Sequence, residues 1–342
     1  MAAGLHVGLV GVGRIGSFHA ETLHALEPVT AITLTDLDHD RARGFGTTIG
    51  AQVVETPEAV IGAGVDALVI ATPTAGHAPL LRLAADAALP AFCEKPVALD
   101  LTTMDDVLAC TARAGTLVQV GFQRRFDTGY RSAHDAVAKG ALGKLLVLRA
   151  ATHDPSPPPE AYIATSGGIF RDLHIHDFDA VRYVTGAEIV EVYADGSVRE
   201  TAWFAEHDDV DAAVAALRLD NGALAIVSGA RHDGLGYDVR LEVFGTSDSI
   251  VAGVDSRTPL RSAEPGPPAP AHAYRNFLER FEAAYRAELS AFVDAVLDGG
   301  GSPCTLAEAR AALLVALAAD RSRQEHRPVA IEEVASAEAV RG

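Results

Sequence analysis

The sequence predicts an α/β fold in two parts: a doubly wound parallel sheet first, then an α/β domain on a largely antiparallel sheet. Two observations predict this. Short apolar runs alternate with helix-like segments as far as residue 122, the pattern of parallel strands joined by crossover helices. Beyond it, strand-like runs follow one another directly, which favours antiparallel pairing. The 342 residues suffice for two such domains and a large core. The expected division is 1–122 and 123–342, with the C-terminal helices free to pack back on the first domain.

The first strand is the apolar run "LHVGLVGV", which leads into "GVGRIGSFHA". Gly11, Gly13 and Gly16 form G-x-G-x-x-G at a strand-to-helix turn. The first glycine permits a tight turn, the second lets backbone approach a pyrophosphate, and the third lets helix pack on strand. The free N–H groups and dipole of the helix start favour phosphate. A second run, "TAITLTD", ends at Asp36, where a carboxylate can accept hydrogen bonds from adenosine ribose hydroxyls. It would repel the extra phosphate of NADP, and the next residues, "LDHD", bring no arginine. NAD is therefore the expected cofactor, with NADP disfavoured.

The alternation continues. Thr56 is an N-cap with Pro57 behind it, "DALVIATP" a buried strand, and "HAPLLRLAADAA" a helix. "LPAFCEKP" is a strand ending at Lys95, "TTMDDVLACTARAG" a helix with a C-terminal glycine, and "TLVQVGF" the last strand. Ligands of such sheets bind beyond the carboxyl ends of the strands, and Gly11, Asp36, Thr72 and Lys95 all fall there.

In the second part, "QRRFDTGYRSAHDAVAKGALG" predicts a helix with flanking loops, and "KLLVLRAATHD" a strand before a proline-rich loop. Further strands are expected in "EIVEVYADGSV", "DAAVAALRLDNGALAIVSGAR" and "YDVRLEVFGTSDSIVAG", turning at Asn221-Gly222 and Ser247-Asp248. A loop is expected over 263–271, then two amphipathic helices, the second opened by a capping box from Thr305 to Glu308.

The net charge of −18 argues against a phosphate-backbone partner, so no nucleic acid is expected. No stretch is long and apolar enough to span a membrane, and "MAAGLHVGLVGVG" has neither a basic start nor a small-residue cleavage site. Cys93, Cys110 and Cys304 are odd in number and lack metal-site spacing, which points to reduced thiols and a cytoplasmic location.

The stretch "GGIFRDLHIHDFD", residues 167–179, packs three aspartates and two histidines among apolar positions. Burying such groups is costly unless they are paired or used. In a helix starting near Gly168, Asp172 and His176 are i and i+4 on one face, so the carboxylate can orient the imidazole. Histidine exchanges protons near neutral pH and suits a general base. Lys95 could stabilise alkoxide character on a reacting hydroxyl. Together they fit oxidation of an alcohol. No metal is expected: His174 and His176 face different ways, and a third ligand would have to come from His153 or Asp154. His174 and Asp177 are expected to be structural, and Asp179 to cap or pair locally.

The ordered set "GVGRIGSFHA", "ATPTAGHAPL", "CEKPVALD", "VGFQRRFD" and "GGIFRDLHIHDFD" resembles the glucose–fructose oxidoreductase / inositol dehydrogenase (Gfo/Idh/MocA) family over nearly the whole chain, most of all its inositol 2-dehydrogenase branch. The resemblance implies an NAD-binding Rossmann domain and a substrate-binding and oligomerisation domain with a large, mostly antiparallel open sheet. It implies that Lys95, Asp172 and His176 are the catalytic set. Cofactor contacts would come from Gly11, Gly13, Arg14, Ile15 and Gly16, from Asp36, from Thr72, Pro73 and His77, and from Glu94 and Lys95. Arg125, Asp154 and Tyr237 would join Asp172 and His176 on the substrate. Gln123 departs from the family's asparagine or methionine, and the loop "HDPSPPPEAY" is distinctive; both bear on substrate identity. A homotetramer is implied.

The expected function is NAD-dependent oxidation of a ring hydroxyl of a polyol to a ketone, with myo-inositol or a related cyclitol as substrate. A pyranose such as glucose is the near alternative. Glycoside cleavage through transient oxidation by bound NAD, and non-catalytic sensing of sugar or dinucleotide, are alternatives of another class.

Overall fold

The computed structural model describes residues 4–266 and 269–339. Pro267 and Pro268, in the loop expected over 263–271, lie outside the described residues. The chain forms two compact units.

The first unit takes in the chain up to Phe122 together with Tyr285–Arg310. Its strands are β1 (Leu5–Val10), β2 (Val29–Thr35), β3 (Gln52–Val53), β4 (Ala67–Ile70), β5 (Ala91–Glu94) and β6 (Val118–Gly121). They pair in the order β3-β2-β1-β4-β5-β6, every neighbour parallel. The crossovers are α1 (Arg14–His24), α2 (His39–Ile49), α3 (Pro57–Gly62), α4 (His77–Asp86) and α5 (Leu101–Ala114). Their ends follow local chemistry. Asp38 caps α2 by accepting from the Arg41 N–H, Thr56 caps α3 from the Ala59 N–H, and Asp100 caps α5. Gly115 ends α5 in the left-handed region, at φ 66°.

Parallel strands bury both faces, so they read as continuous apolar runs. Val7, Leu9, Leu34, Val69 and Phe92 form the centre of this core, and Leu289, Phe292 and Val293 complete it from later in the chain. Each such side chain contributes about 1.5–3 kcal/mol by leaving water. The strand order reverses between β1 and β4, which opens the ligand crevice at their carboxyl ends.

The second unit comprises Gln123–Ala284 and the chain from Ala311. It contains α6 (Thr128–Ala138), β7 (Leu145–His153), α7 (Glu160–Ser166), a π-helical turn at Phe170–His174 that runs into α8 (Ile175–Thr185), β8 (Ile189–Ser197) and α9 (Trp203–Glu206). Then come β9 (Ala212–Leu219), β10 (Leu224–Ala230), β11 (Asp238–Gly245) and β12 (Ser249–Ala252). The last elements of the chain are α10 (Phe277–Asp298), α11 (Leu306–Glu325), β13 (Val329–Ala330) and α12 (Ile331–Ala339). Helix α10 kinks at Phe281, and its residues from Tyr285 belong to the first unit.

The sheet order is β12-β11-β7-β10-β9-β8-β13. Its pairs are antiparallel except β7 with β10. Gly222 takes φ 84° in the β9–β10 turn, and Asn221 Oδ1 accepts the Ala223 N–H, so the expected turn pair does its work. Burial alternates along β9 and β10. Helix α8 packs against β7, while Val214, Leu224 and Ile226 remain about half exposed on strands β9 and β10.

Candidate active site

The glycine turn is built for close approach. Gly11 has φ +96°, and a Cβ there would lie 2.6 Å from the Ala71 carbonyl oxygen. A Cβ on Gly16 would lie 1.9 Å from the Gly11 carbonyl oxygen, so helix α1 sits tightly on the turn. At Gly13, the N-cap of α1, an added Cβ meets nothing within 4 Å, and no side chain caps the helix. That open backbone at a helix start fits a pyrophosphate. Arg14 is exposed and Ile15 half-buried at the head of α1.

Asp36 closes the turn from β2. Its Oδ2 accepts the Val12 N–H at 2.7 Å, and its Oδ1 accepts the Asp38 N–H at 2.8 Å. Arg41 Nη2 also donates to Oδ1, at 2.6 Å. Burial alone would raise the carboxyl; Arg41 and the two N–H groups outweigh it and hold Asp36 below the usual carboxylate value. No arginine stands in the four positions after Asp36. The first turn of α2 brings Arg41 back to it.

At the ends of β4 and β5, His77 is a strut. It is 1% exposed, with Nδ1 2.8 Å from the Pro96 carbonyl and Nε2 2.8 Å from the Thr72 carbonyl. Desolvation lowers its pKa. The ring thus ties the Thr72 carbonyl, at the turn that carries Pro73, to the Pro96 carbonyl just after Lys95. Lys95 is half-buried, and the Lys95-Pro96 peptide is cis. Glu94 is turned inward: its Oε1 lies 2.6 Å from His19 Nε2, and its Oε2 accepts the Lys95 N–H at 3.3 Å. His19 lies fully buried on α1 and escaped the sequence reading.

In the second unit, the stretch 167–179 does start helically near Gly168, whose carbonyl accepts the Asp172 N–H at 2.9 Å. The turn from Phe170 to His174 is π-helical, a form frequent at functional sites. Asp172 is buried and His176 half-buried. Asp172 Oδ1 accepts from the Tyr162 hydroxyl at 2.7 Å, and Oδ2 from Arg231 Nη2 at 2.6 Å. Arg231 Nη1 reaches Asp154 Oδ2 at 3.0 Å. One guanidinium, 3% exposed, therefore gathers two of the predicted site carboxylates. Burial works against its charge, but Asp172 and Asp154 hold its pKa above the ordinary value. Arg231 follows β10 in "GARHD", where nothing in the local pattern marks it. Tyr237 is buried, its ring edge-on to Phe281, and desolvation pushes its hydroxyl up.

His174 and Asp177 do pair inside the core: His174 Nδ1 lies 2.9 Å from Asp177 Oδ2. Asp177 also accepts from Arg124 and from the Thr152 hydroxyl. One expectation needs correction. Asp179 does not pair locally; it holds Arg125, 54 residues away, in a two-pronged ion pair, with Nε to Oδ2 at 2.9 Å and Nη2 to Oδ1 at 2.6 Å. Arg125 is correspondingly committed to Asp179 and stacked 5.2 Å from the Tyr183 ring, which ties the 3-10 turn at Gln123–Phe126 to α8. His153 groups with Asp233 and Asp238, their ligand atoms within 4.8 Å of one another, but Arg240 already donates to both oxygens of Asp238.

Residues 5–122 match the model of the oxidoreductase family with an NAD-binding Rossmann fold, GFO_IDH_MocA, and residues 130–251 match the GFO/IDH/MocA C-terminal domain. The chain belongs to the GFO/IDH/MocA family. It is an oxidoreductase whose first unit binds NAD. It is 38% identical to a myo-inositol 2-dehydrogenase of Thermotoga maritima, over 96% of this chain and 99% of that one. The crystal structure of a probable dehydrogenase from Thermotoga maritima superposes with a TM-score of 0.90 at 37% identity, covering 96% of this chain and all of that one. A scyllo-inositol dehydrogenase from Lactobacillus casei, crystallised with NAD(H) and scyllo-inositol, gives 0.87 at 27% identity over 96% and 99% of the two chains.

Proposed function

We propose that this protein oxidises one ring hydroxyl of a cyclitol, myo-inositol or a close relative, to the ketone. The observation that carries this reading is the Asp154–Arg231–Asp172 array, whose Asp172 stands four residues before His176, polar groups held in one place around a buried guanidinium, together with near full-length similarity to inositol dehydrogenases. A ring bearing several hydroxyls needs several fixed partners, and buried charges persist where they are paired and used.

In this reading His176 takes the hydroxyl proton as general base, and Asp172 keeps the imidazole oriented. Tyr162 and Arg231 in turn hold Asp172 in place. Lys95, at the end of β5, is the proposed donor that stabilises negative charge developing on a reacting oxygen. The bound nicotinamide supplies the acceptor for the hydride. The turn Gly11–Gly16 and the Thr72-Pro73 segment hold the dinucleotide, and Asp36 accepts from its ribose. Asp154 and Tyr237 orient the remaining ring hydroxyls. Glu94 and His77 act one step back, by fixing the backbone around Lys95.

The test is NAD reduction, followed by nicotinamide absorbance, against myo-, scyllo- and chiro-inositol, glucose, xylose and galactose. Turnover on a cyclitol supports the reading. Turnover confined to an aldose moves the substrate to the pyranoses, and silence with NAD bound overturns the dehydrogenase assignment for both classes.

A homotetramer is part of the proposal, built through the sheet face that carries Val214, Leu224 and Ile226, whose half-exposure suits a covered apolar surface. A cytoplasmic location is proposed from the cysteines: Cys93, Cys110 and Cys304 are all outside disulfides, two of them buried. No described helix is long and apolar enough to cross a membrane.

A further inference from the structure

The Asp36 carboxylate carries more donors than a ribose subsite can share. A carboxylate offers about four lone-pair sites. Three are filled: by the Val12 N–H, the Asp38 N–H and Arg41 Nη2. The adenosine ribose of NAD presents two vicinal hydroxyls as donors, and one site remains. Two of the three present donors are main-chain groups set by the glycine turn and the end of β2, and they have no freedom to leave. The third is a side chain about half exposed, 49%, in the first turn of α2. Its other Nη atom lies 3.8 Å from Asp38 Oδ2, so an alternative counter-ion is at hand.

We propose that Arg41 is a coenzyme-selection residue: it yields Asp36 to the ribose diol of NAD, and it is the latent ligand for the 2′-phosphate of NADP. The two dinucleotides differ at the ribose 2′ oxygen, the position Asp36 would bind. An arginine near the end of β2 is the residue type that accommodates a 2′-phosphate, through a planar fork matched to its oxygens. Here that arginine is present but held by the carboxylate that repels the phosphate. Selectivity for NAD then comes from Asp36 both excluding the phosphate and occupying a cation placed to receive it. This inference assumes the NAD-binding first unit and is independent of the substrate.

The test is a double-mutant cycle read by calorimetric binding of NAD+ and NADP+, without substrate or turnover. The four proteins are the native chain, Asp36→Ser, Arg41→Ala and the double variant. Asp36→Ser is expected to bind NADP+ about tenfold more tightly than the native chain, and adding Arg41→Ala should remove most of that gain. On the native background, Arg41→Ala should tighten NAD+ by up to about fivefold, the scale of one exposed ion pair that no longer has to break. Equal NADP+ affinity in Asp36→Ser and the double variant overturns the proposal, as does a tenfold loss of NAD+ affinity in Arg41→Ala. If Asp36→Ser disturbs the glycine turn, shown by a fall in melting temperature, Asp36→Asn keeps one acceptor for Val12 and serves in the same cycle. Failure of the native chain to bind NAD+ would count against the cofactor assignment, a separate result.

Discussion

Arg231 Nη2 donates to Asp172 Oδ2 at 2.6 Å, and the same guanidinium spans to Asp154. This cation is nearly inaccessible to water, so it cannot be replaced by solvent when removed. Arg231→Lys keeps a charge but loses the planar fork that serves two carboxylates at once. The expected result is a fall in kcat/KM of about tenfold to a hundredfold, the scale of one charge-assisted hydrogen bond. NAD affinity, measured by calorimetry, should change far less, since Arg231 belongs to the second unit and the dinucleotide turn to the first. A kcat/KM within about twofold of the parent would reduce Arg231 to a packing role.

Lys95 sits on a peptide held by its neighbours: Glu94 is locked to His19, and Pro96 to His77. Truncating the lysine should therefore leave the turn in place. Lys95→Ala is expected to lower kcat by about 10²–10³, the cost of one donor aimed at developing negative charge. NAD affinity, measured by calorimetry, should change far less. Comparable losses in both would make Lys95 a cofactor ligand and nothing more.

The sheet of the first unit was legible because parallel strands buried on both faces leave long apolar runs, and Thr56, Pro57 and Gly115 mark helix ends by local chemistry alone. The antiparallel sheet was legible through alternation and the Asn221-Gly222 turn. Partners distant in sequence were not. Nothing near Asp179 points to Arg125, nothing near Asp172 points to Arg231, and Glu94 finds its histidine 75 residues upstream. Side-chain charge pairing depends on which strand ends the topology brings together, and periodicity does not report that. Arg41 was missed for a smaller reason: it stands five residues beyond Asp36, in the first turn of α2, which carries its side chain back to the end of β2.

Gly229 on β10 leaves the space that His174 fills. A Cβ there would lie 2.4 Å from His174 Cε1 and 2.8 Å from the Thr152 carbonyl oxygen. The imidazole cannot move aside freely, since Asp177 holds its Nδ1 in a fully buried network with Arg124. Gly229→Ala is expected to destabilise the fold by about 1–3 kcal/mol through overpacking. Asp177→Ala should cost more, about 3–5 kcal/mol, because Arg124 is left buried without its counter-ion. Urea unfolding of the two variants gives the order, and a Gly229→Ala protein as stable as the parent would show that the ring has another place to go.

Asp320 lines a cavity of about 150 Å³ with Arg171, Arg323, His207, Asp208 and Asp209. Burial pushes its carboxyl up to about 6; the neighbouring Asp209 adds to the rise, while Arg171 and Arg323 only partly oppose it. The folded chain therefore binds this proton more tightly than the unfolded chain. Its contribution to stability is fully present below the unfolded value near 3.8 and is lost as pH rises to the folded value near 6. Asp320→Asn mimics the protonated form at every pH. It should match the parent near pH 4, gain on it through pH 5, and stay ahead above pH 6 by about 1–3 kcal/mol. Thermal melts from pH 4 to pH 8 measure this directly. A variant less stable than the parent at pH 8 would mean that the Arg171–Asp320 ion pair outweighs the burial of the charge.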